Sequence, residues 1–228
     1  SRVAKARVEG YQGDDLAATD TVLATVKHFV GYGAAQAGRD YHTVDMSERT
    51  LRDVYLPPFK AAIDAGVGSI MTAFNEYDGV PASGSKYLLT DVLRDQWGFD
   101  GFVVTDYTSI NEMVAHGYAK DLEQAGEQAL DAGVDMDLQG AVFLEHLGDS
   151  LTQGRVTMDQ VDTATRRVLE MKYRLGLFED PYRYADEARQ EAMLYKPEFL
   201  EAARDVARKS MVLLKNDGET LPLVAGAQ

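Results

Sequence analysis

The sequence contains no cysteine, which excludes a disulfide framework and thiolate chemistry. It also lacks any apolar run of the roughly 20 residues that a membrane-spanning helix needs. No signal peptide opens it, and because Ser1 begins in a polar segment we expect the true N-terminus upstream. Basic residues are scarce: 23 Lys and Arg against 37 Asp and Glu give a net charge of -14. Because nucleic acid and anionic membranes would repel this surface, we expect neither as a partner.

Two kinds of binding motif are absent as well. No GxGxxG or GxxxxGK[ST] pattern follows a strand-like run, so the sequence offers no loop that would cradle the phosphates of a nucleotide. The four histidines do not have the spacing of metal ligands. The sequence therefore predicts no metal and no cofactor, and a neutral substrate is compatible with the acidic surface.

Strand-like apolar runs alternate with helical segments over the first three quarters of the chain, a pattern that predicts βα units around a parallel sheet. Such a sheet is either open and doubly wound or closed as a barrel. A closed eight-stranded barrel takes about 250 residues, so four units amount to about half of one. The predicted strands are residues 24–32, 68–74, 101–107 and 133–138.

The best-defined helices have recognisable ends. Ser85 is a suitable N-cap for a helix over residues 85–97, and Gly98 suits the left-handed position that follows it. Thr157 and Gln160 have the spacing of a capping box at the start of a long helix.

The last quarter of the chain has a different character. Residues 179–197 are polar and rich in tyrosine, and we interpret them as a linker. A helical pattern over 198–210 leads into the apolar run 211–214, which resembles the first helix and strand of a further α/β domain covering residues 198–228.

A single carboxylate, Asp106, ends the run GFVVTDY at residues 101–107. Active sites of parallel α/β proteins lie at the carboxyl ends of strands, so a catalytic acid is expected at this position. The alternative is that Asp106 caps the following segment through Thr108 and Ser109, because aspartate is common in caps and turns. Position alone leaves both interpretations open.

Six motifs follow one another along the chain. They are VKHFVGYG at 26–33, TVDMSERTLRDVYLPPFKAAIDAG at 43–66, IMTAFNEYDGVPAS at 70–83, LLTDVLRDQWGFDGFVVTDY at 88–107, AGVDMDL at 132–138 and ARKSMVLLKNDGETLPL at 207–223. In this order they resemble the motifs of family 3 glycoside hydrolases of the bacterial β-glucosidase type. The resemblance implies hydrolysis of terminal non-reducing β-D-glucosyl residues in a β-glucoside or oligosaccharide, and a periplasmic or secreted location. It also implies that residues 1–178 form the C-terminal half of a (β/α)8 catalytic barrel, followed by the linker and the start of an α/β sandwich domain.

The resemblance assigns Asp106 as the nucleophile of a retaining mechanism, which also needs a second carboxyl group about 5 to 5.5 Å away. In the family this acid/base is a glutamate of the second domain, beyond the end of this chain. We therefore expect turnover to require the missing segments of the parent enzyme or a second copy that completes the barrel. The nearest glutamates in sequence, Glu76, Glu112 and Glu123, are expected to be solvated.

The substrate-binding residues that the resemblance implies are Lys27, His28, Arg39, Met71, Phe74 and Tyr107. The Lys-His pair would bind sugar hydroxyls, and the other side chains would contact or enclose the reactive sugar. Two positions depart from the family pattern, since many members have tyrosine at position 74 and tryptophan at position 107.

Two alternatives remain. The β-N-acetylglucosaminidase branch of the same family uses an Asp-x-His acid/base, which would be Asp40 and His42, but that branch reads KHFPGHG where this chain reads KHFVGYG. The other alternative is an inert or carbohydrate-binding fragment, and the intact Asp106 argues against an evolved loss of activity.

Overall fold

The computed structural model describes residues 1–218 and 220–223. Two compact units are present, Ser1–Tyr184 and a second unit from Ala185 onward. The division falls inside the predicted linker. Of the predicted second domain, Glu219 and residues 224–228 lie outside the described residues.

The first unit contains a three-stranded parallel sheet, as the sequence predicts. Its order is β1 (Thr25–Phe29), β2 (Ser69–Thr72) and β5 (Phe102–Val104), with β2 in the centre. A two-stranded antiparallel hairpin, β3 (Glu76–Tyr77) and β4 (Val80–Pro81), follows β2. The fold class is α/β with βα units of the barrel type, and the small hairpin is an addition that the sequence pattern did not indicate.

The fourth predicted strand, residues 133–138, lies beside β5 but forms only one isolated bridge, between Val104 and Met136. The backbone amides of Asp135 and Met136 both donate to the carbonyl of Val103, at 2.9 and 3.1 Å, and Thr105 donates to the carbonyl of Met136 at 2.9 Å. The predicted strand is therefore reduced to one bridge, because two amides share one acceptor and the regular pairing goes no further.

Helices cover the sheet and continue into the second unit. Two helical segments, Leu51–Tyr55 and Tyr87–Gln96, have π-type hydrogen bonding. Short 3₁₀ turns occur at Tyr32–Ala34, Gln36–Gly38 and Ala82–Gly84. The α-helices are α1 (Arg2–Gln12), α2 (Glu48–Thr50), α3 (Leu56–Asp64), α4 (Ser109–Ala115), α5 (Leu122–Ala132), α6 (Val142–Thr152), α7 (Met158–Arg174), α8 (Glu187–Met193) and α9 (Pro197–Ser210).

The predicted helix ends are confirmed. Ser85 Oγ accepts a hydrogen bond from the amide of Leu88 at 3.3 Å, and Gly98 has a φ of 69°. The capping box of Thr157 and Gln160 is complete in both directions at the start of α7. Local sequence thus determines where these helices begin and end.

Helix α1 is anchored by one amide side chain and was not predicted. Gln12 is buried, and its Nε2 donates to the carbonyl of Gly66 at 2.8 Å. Its Oε1 accepts from the amides of Ala24 and Gly68, at 3.2 and 3.0 Å. Gln12 therefore ties α1 to the residues that precede β1 and β2.

The core lies between the sheet and the helices. Each strand contributes one fully buried large side chain, Phe29, Ile70 and Val103. Phe29 makes edge contacts with the rings of Phe59 and Trp97, at centroid distances of 5.2 and 6.2 Å. Burial of each side chain of this size stabilises the fold by about 1.5 to 3 kcal/mol.

A buried ion-pair cluster joins β5 to its surroundings. The side chain of Asp135 is 1% exposed and accepts from Arg94 at 2.7 Å, from Arg167 of α7 at 2.8 Å and from the amide of Val103 at 2.8 Å. Arg94 also donates to the carbonyls of Phe99 and Gly101. Burial raises the pKa of Asp135 and lowers that of Arg94 to about 10, while the opposite charges oppose both shifts. We call Arg94, Asp135 and Arg167 the Asp135 cluster.

The second unit confirms the predicted helix over 198–210, as α9, but not the predicted strand over 211–214. Residues 211–216 have no regular secondary structure, and the side chains of Met211, Val212, Leu213 and Leu214 are exposed. A strand needs a neighbour for its backbone hydrogen bonds. The described part of this unit offers none.

Across the described residues, no helix combines the length and the apolar character that crossing a membrane requires.

We expect Asp135→Asn to lower the free energy of unfolding by about 3 kcal/mol, because removing one partner of a buried ion pair leaves the other charges uncompensated. Asp91→Asn is the matched control, since Asp91 is exposed on the same helical segment as Arg94, and it should change stability by less than about 0.5 kcal/mol. Urea denaturation followed by circular dichroism measures both. Equal midpoints for the two variants would contradict the structural role of the cluster.

Candidate active site

The site lies where β1, β2 and β5 end. After β5, the hydroxyl of Thr105 accepts from the amide of Leu138 at 2.9 Å, and the amide of Thr108 donates to the carbonyl of Leu138 at 3.2 Å. These bonds hold residues 105–108 against the segment that follows α5. The side chain of Asp106 between them is only 15% exposed.

The side chain of Asp106 is in direct contact with that of His28. His28 Nε2 lies 3.0 Å from Asp106 Oδ2, and the amide of Tyr107 donates to Asp106 Oδ1 at 2.7 Å. Desolvation lowers the pKa of His28, Lys27 adds to this, and the charges of Asp106 and Asp40 partly offset it. The lowered pKa of His28 favours the neutral imidazole near pH 7, so Asp106 is in contact with an uncharged ring.

Beneath Asp106 lies a chain of three buried hydroxyl groups. Thr72 Oγ1 and Ser83 Oγ are 2.7 Å apart, and Ser83 Oγ is 2.7 Å from Ser109 Oγ. The amide of Ser109 donates to the carbonyl of Asp106 at 3.1 Å. The chain fixes the Asp106 loop to β2 and to the turn at Ala82–Gly84. Sequence reasoning missed it; the only signal was serine and threonine inside otherwise apolar buried segments.

Three aromatic rings form a wall beside His28. The ring of Tyr32 lies 5.1 Å from that of His28 and 5.9 Å from that of Phe74. The ring of Tyr41 meets Phe74 edge to face, with centroids 4.5 Å apart. The Tyr32 hydroxyl donates to Asp40, whose Oδ1 also accepts from the amide of Tyr41 at 3.1 Å. This wall connects the loop after β1 to the end of β2.

The other predicted site residues come from β1 and β2 and from the loops that follow β1 and β5. Lys27 is exposed on β1, next to His28 in sequence. Met71 is half-buried in β2, in register with Val104. Tyr107 is exposed beside Asp106, and Arg39 is exposed in the loop after β1. In the described part of the chain, the side chains of Lys27 and Arg39 form neither an ion pair nor a hydrogen bond.

The structure does not form the Asp40–His42 pair of the alternative mechanism. The carboxylate of Asp40 accepts from Tyr32 and from the amide of Tyr41. His42 is exposed, and its imidazole makes no hydrogen bond with any residue that the structure describes.

The three nearby glutamates, which were expected to be solvated, are each only partly exposed. Glu76 accepts a hydrogen bond from Thr43 at 2.7 Å and lies 3.6 Å from Nδ1 of His116, and Glu123 pairs with Arg155. Glu112, in α4, is half-buried, and desolvation raises its pKa, with a further rise from Asp106 and Asp40 against an opposing effect of His116. Among the described residues, no group of three or more His, Cys, Asp or Glu has the geometry to hold a metal ion.

Comparison with known proteins gives a family model and relatives that agree with one another. The model described as "Glycosyl hydrolase family 3 N terminal domain" matches residues 1–171. The chain is 45% identical to a periplasmic beta-glucosidase of Salmonella typhimurium, over 95% of this chain and 29% of that protein. It is 42% identical to a beta-xylosidase of Formosa agariphila, over 98% of this chain and 32% of that protein.

Solved structures agree with the sequence comparison. The beta-glucosidase of Listeria innocua in complex with isofagomine superposes with a TM-score of 0.93 and 39% identity, over 98% of this chain and 32% of that one. A mutant of the same enzyme in complex with laminaribiose gives 0.92 and 40%, over 96% and 31%. The chain thus spans about a third of the length of these relatives.

Proposed function

The chain belongs to glycosyl hydrolase family 3, and on this basis we propose that it is part of an enzyme that hydrolyses terminal non-reducing β-D-glucosyl residues by a retaining mechanism. The observation that carries the proposal is the contact of His28 Nε2 with Asp106 Oδ2, at 3.0 Å, at the carboxyl end of β5. A carboxylate that contacts an imidazole, accepts from a backbone amide and is only partly exposed to water is positioned as a nucleophile would be.

In the proposed mechanism Asp106 attacks the anomeric carbon and forms a covalent glycosyl-enzyme, which water then hydrolyses. Bond cleavage requires protonation of the leaving oxygen, and a glutamate outside this chain supplies that proton and later activates the water. Lys27, His28 and Arg39 bind hydroxyls of the reactive sugar. Met71, Phe74 and Tyr107 enclose its ring.

Two further assignments follow from the relatives. We assign residues 1–178 to the C-terminal half of a (β/α)8 barrel, 179–197 to a linker and 198–228 to the start of a second α/β domain, in line with a chain that spans about a third of its relatives' length. The similarity to a periplasmic beta-glucosidase supports a periplasmic or secreted location. Relatives named beta-xylosidase make the β-xyloside the competing substrate.

The alternatives receive less support. An acid/base role for Asp40 and His42 requires the two side chains to act together, whereas Asp40 is bound to Tyr32 and His42 is exposed. An inert or purely carbohydrate-binding role leaves the direct contact of Asp106 with His28 without a purpose.

We expect the isolated chain to associate with itself or with the segments that complete its parent enzyme. Within the described residues β1 pairs only with β2, so its other edge offers free backbone donors and acceptors, which normally find a partner. Sedimentation velocity measures the association. A clean monomer with cooperative unfolding would contradict this expectation.

The nucleophile is tested by Asp106→Asn in the full-length protein. The substitution preserves shape and removes the attacking charge, so kcat on an aryl β-glucoside should fall by about three orders of magnitude or more while binding is largely kept. Asp149→Asn, at an exposed position of α6, is the control and should keep normal activity. A variant at position 106 with near-normal turnover would show that another group is the nucleophile.

His42→Ala separates the two glycosidase mechanisms. If a distant glutamate is the acid/base, we expect less than a tenfold loss on both a natural disaccharide and an activated aryl glycoside. An acid/base role for His42 predicts a loss of about 10² to 10⁴, confined to the disaccharide, because an activated leaving group departs with little protonation. The comparison of kcat values on the two substrates decides between them.

A further inference from the structure

The loop after β1 contains a segment, residues 36–43, that we call the Arg39 segment. Its two ends meet, because the amide of Gln36 donates to the carbonyl of Thr43 at 3.0 Å. All of the segment except Thr43 is exposed. Three of its residues have φ values in the left-handed region, and two of these carry side chains: Ala37, Gly38 and Tyr41. Such backbone persists only where surrounding contacts enforce it, so contacts outside the segment must hold its shape.

One of these contacts lies next to the proposed catalytic centre. The carboxylate of Asp40 accepts a hydrogen bond from the hydroxyl of Tyr32. The ring of Tyr32 lies 5.1 Å from that of His28, and His28 Nε2 lies 3.0 Å from Asp106 Oδ2. A continuous series of contacts thus leads from Asp106 to Asp40, the residue that follows Arg39. This series places the backbone of the Arg39 segment beside the site.

The end of the segment is held by Glu76 of β3. Glu76 Oε1 accepts from the hydroxyl of Thr43 at 2.7 Å, and the carbonyl of Glu76 accepts from the amide of Val44 at 3.0 Å. Val44 is 2% exposed and forms a parallel bridge with Tyr77. The side chain of Glu76 is 20% exposed. A partly buried carboxylate therefore binds the Arg39 segment where it returns to the sheet.

The same carboxylate also contacts the helix that follows Asp106. Glu76 Oε2 lies 3.6 Å from Nδ1 of His116, at the C-terminal end of α4. The first residue of α4 is Ser109, whose amide donates to the carbonyl of Asp106 at 3.1 Å. Glu76 is therefore in contact with two separate elements beside the site, the Arg39 segment and α4.

We propose that Glu76 is a positioning residue, which acts through Thr43 to hold Arg39 within reach of the sugar bound at Asp106. The inference rests on the proposed function, in which Arg39 binds a hydroxyl of that sugar. An arginine on a loop that is free to move loses conformational entropy when it binds, and fixing the backbone on both sides of it reduces that loss. Because its acceptor is charged, the hydrogen bond from Thr43 to Glu76 is suited to this anchoring role.

The test is the kcat/KM of the full-length protein on p-nitrophenyl β-glucoside. Thr43→Val keeps the shape of the side chain and removes the hydroxyl, whereas Glu76→Ala removes the acceptor. We expect each substitution to lower kcat/KM about tenfold, the scale of one hydrogen bond to a charged group. Thr43→Ser restores the hydroxyl and should recover most of the loss.

A role through Arg39 also predicts that the effects are not additive. In an Arg39→Met background, Thr43→Val should cause no further loss, because the group that the bond positions is already absent. A purely structural effect on the protein would lower kcat/KM by the same factor in both backgrounds.

Glu127 provides a matched control on α5. Like Glu76, it accepts from a hydroxyl, Ser150 Oγ at 2.7 Å, and it pairs with a cationic side chain, that of Arg155. Its side chain is 19% exposed, close to the value for Glu76. These partners lie in α6 and after it, not in the loop after β1. Glu127→Ala should therefore lower the midpoint of urea unfolding and leave kcat/KM unchanged.

Each outcome has a distinct meaning. Additive losses for Thr43→Val and Arg39→Met would show that the bond acts by another route and would overturn the proposal. A kcat/KM of Thr43→Val within twofold of the wild-type value would overturn it too, as would equal losses for Thr43→Ser and Thr43→Val. In an active enzyme these results leave the proposed function intact. A wild-type protein that cleaves neither β-glucosides nor β-xylosides would refute the proposed function itself, and this inference with it.

Discussion

The buried carboxylate of Asp135 is the interaction on which the geometry of this half barrel depends. The strand that carries Asp106, β5, is only three residues long, and so short a strand has few backbone hydrogen bonds to fix its position. Asp135 supplies what the strand lacks, because it accepts from the amide of Val103 within β5 and from two arginines on the flanking helical segments. A buried ion pair of this kind requires good geometry to offset desolvation, so it tolerates only one arrangement of its parts. The position of Asp106 follows from that arrangement.

Next to the Asp135 cluster, the site combines negatively charged carboxylates with hydrogen-bond donors that carry no charge. Desolvation lowers the pKa of His28 and raises that of Glu112, and the charges of Asp106 and Asp40 act on both groups. In the proposed mechanism positive charge develops on a sugar ring, and carboxylates nearby stabilise such a charge. The aromatic rings of Tyr32, Phe74 and Tyr41 pack against one another on one side of the site.

Whether a feature could be predicted from the sequence depends on how far apart in the chain its interacting residues lie. The ends of the helix after Ser85 and of α7 rest on contacts three residues apart, and they were predictable. Asp106 was recognisable because a buried strand directly precedes it. By contrast, Gln12 bonds to residues 54 and 56 positions away, and no local pattern indicates such a partner.

The same dependence on distant partners explains the other features that the sequence did not predict correctly. The hydroxyl chain of Thr72, Ser83 and Ser109 joins three segments, so none of its members shows a role in isolation. Tyr41 was passed over because its neighbour Phe74 comes from a distant part of the chain, directly after β2. The run 211–214 has the composition of a strand, but composition does not provide a pairing partner.

Arg167 gives the Asp135 cluster a consequence for the evolution of such enzymes by gene recombination. It reaches the carboxylate from α7, more than thirty residues after Asp135 in the chain, although α7 contributes no residue to the site around Asp106. A crossover placed directly after the active-site motifs would leave the buried carboxylate of Asp135 without one of its cations. We therefore expect a transferred segment to keep this cluster intact only when it continues through α7, which makes the unit of inheritance longer than the unit of chemistry.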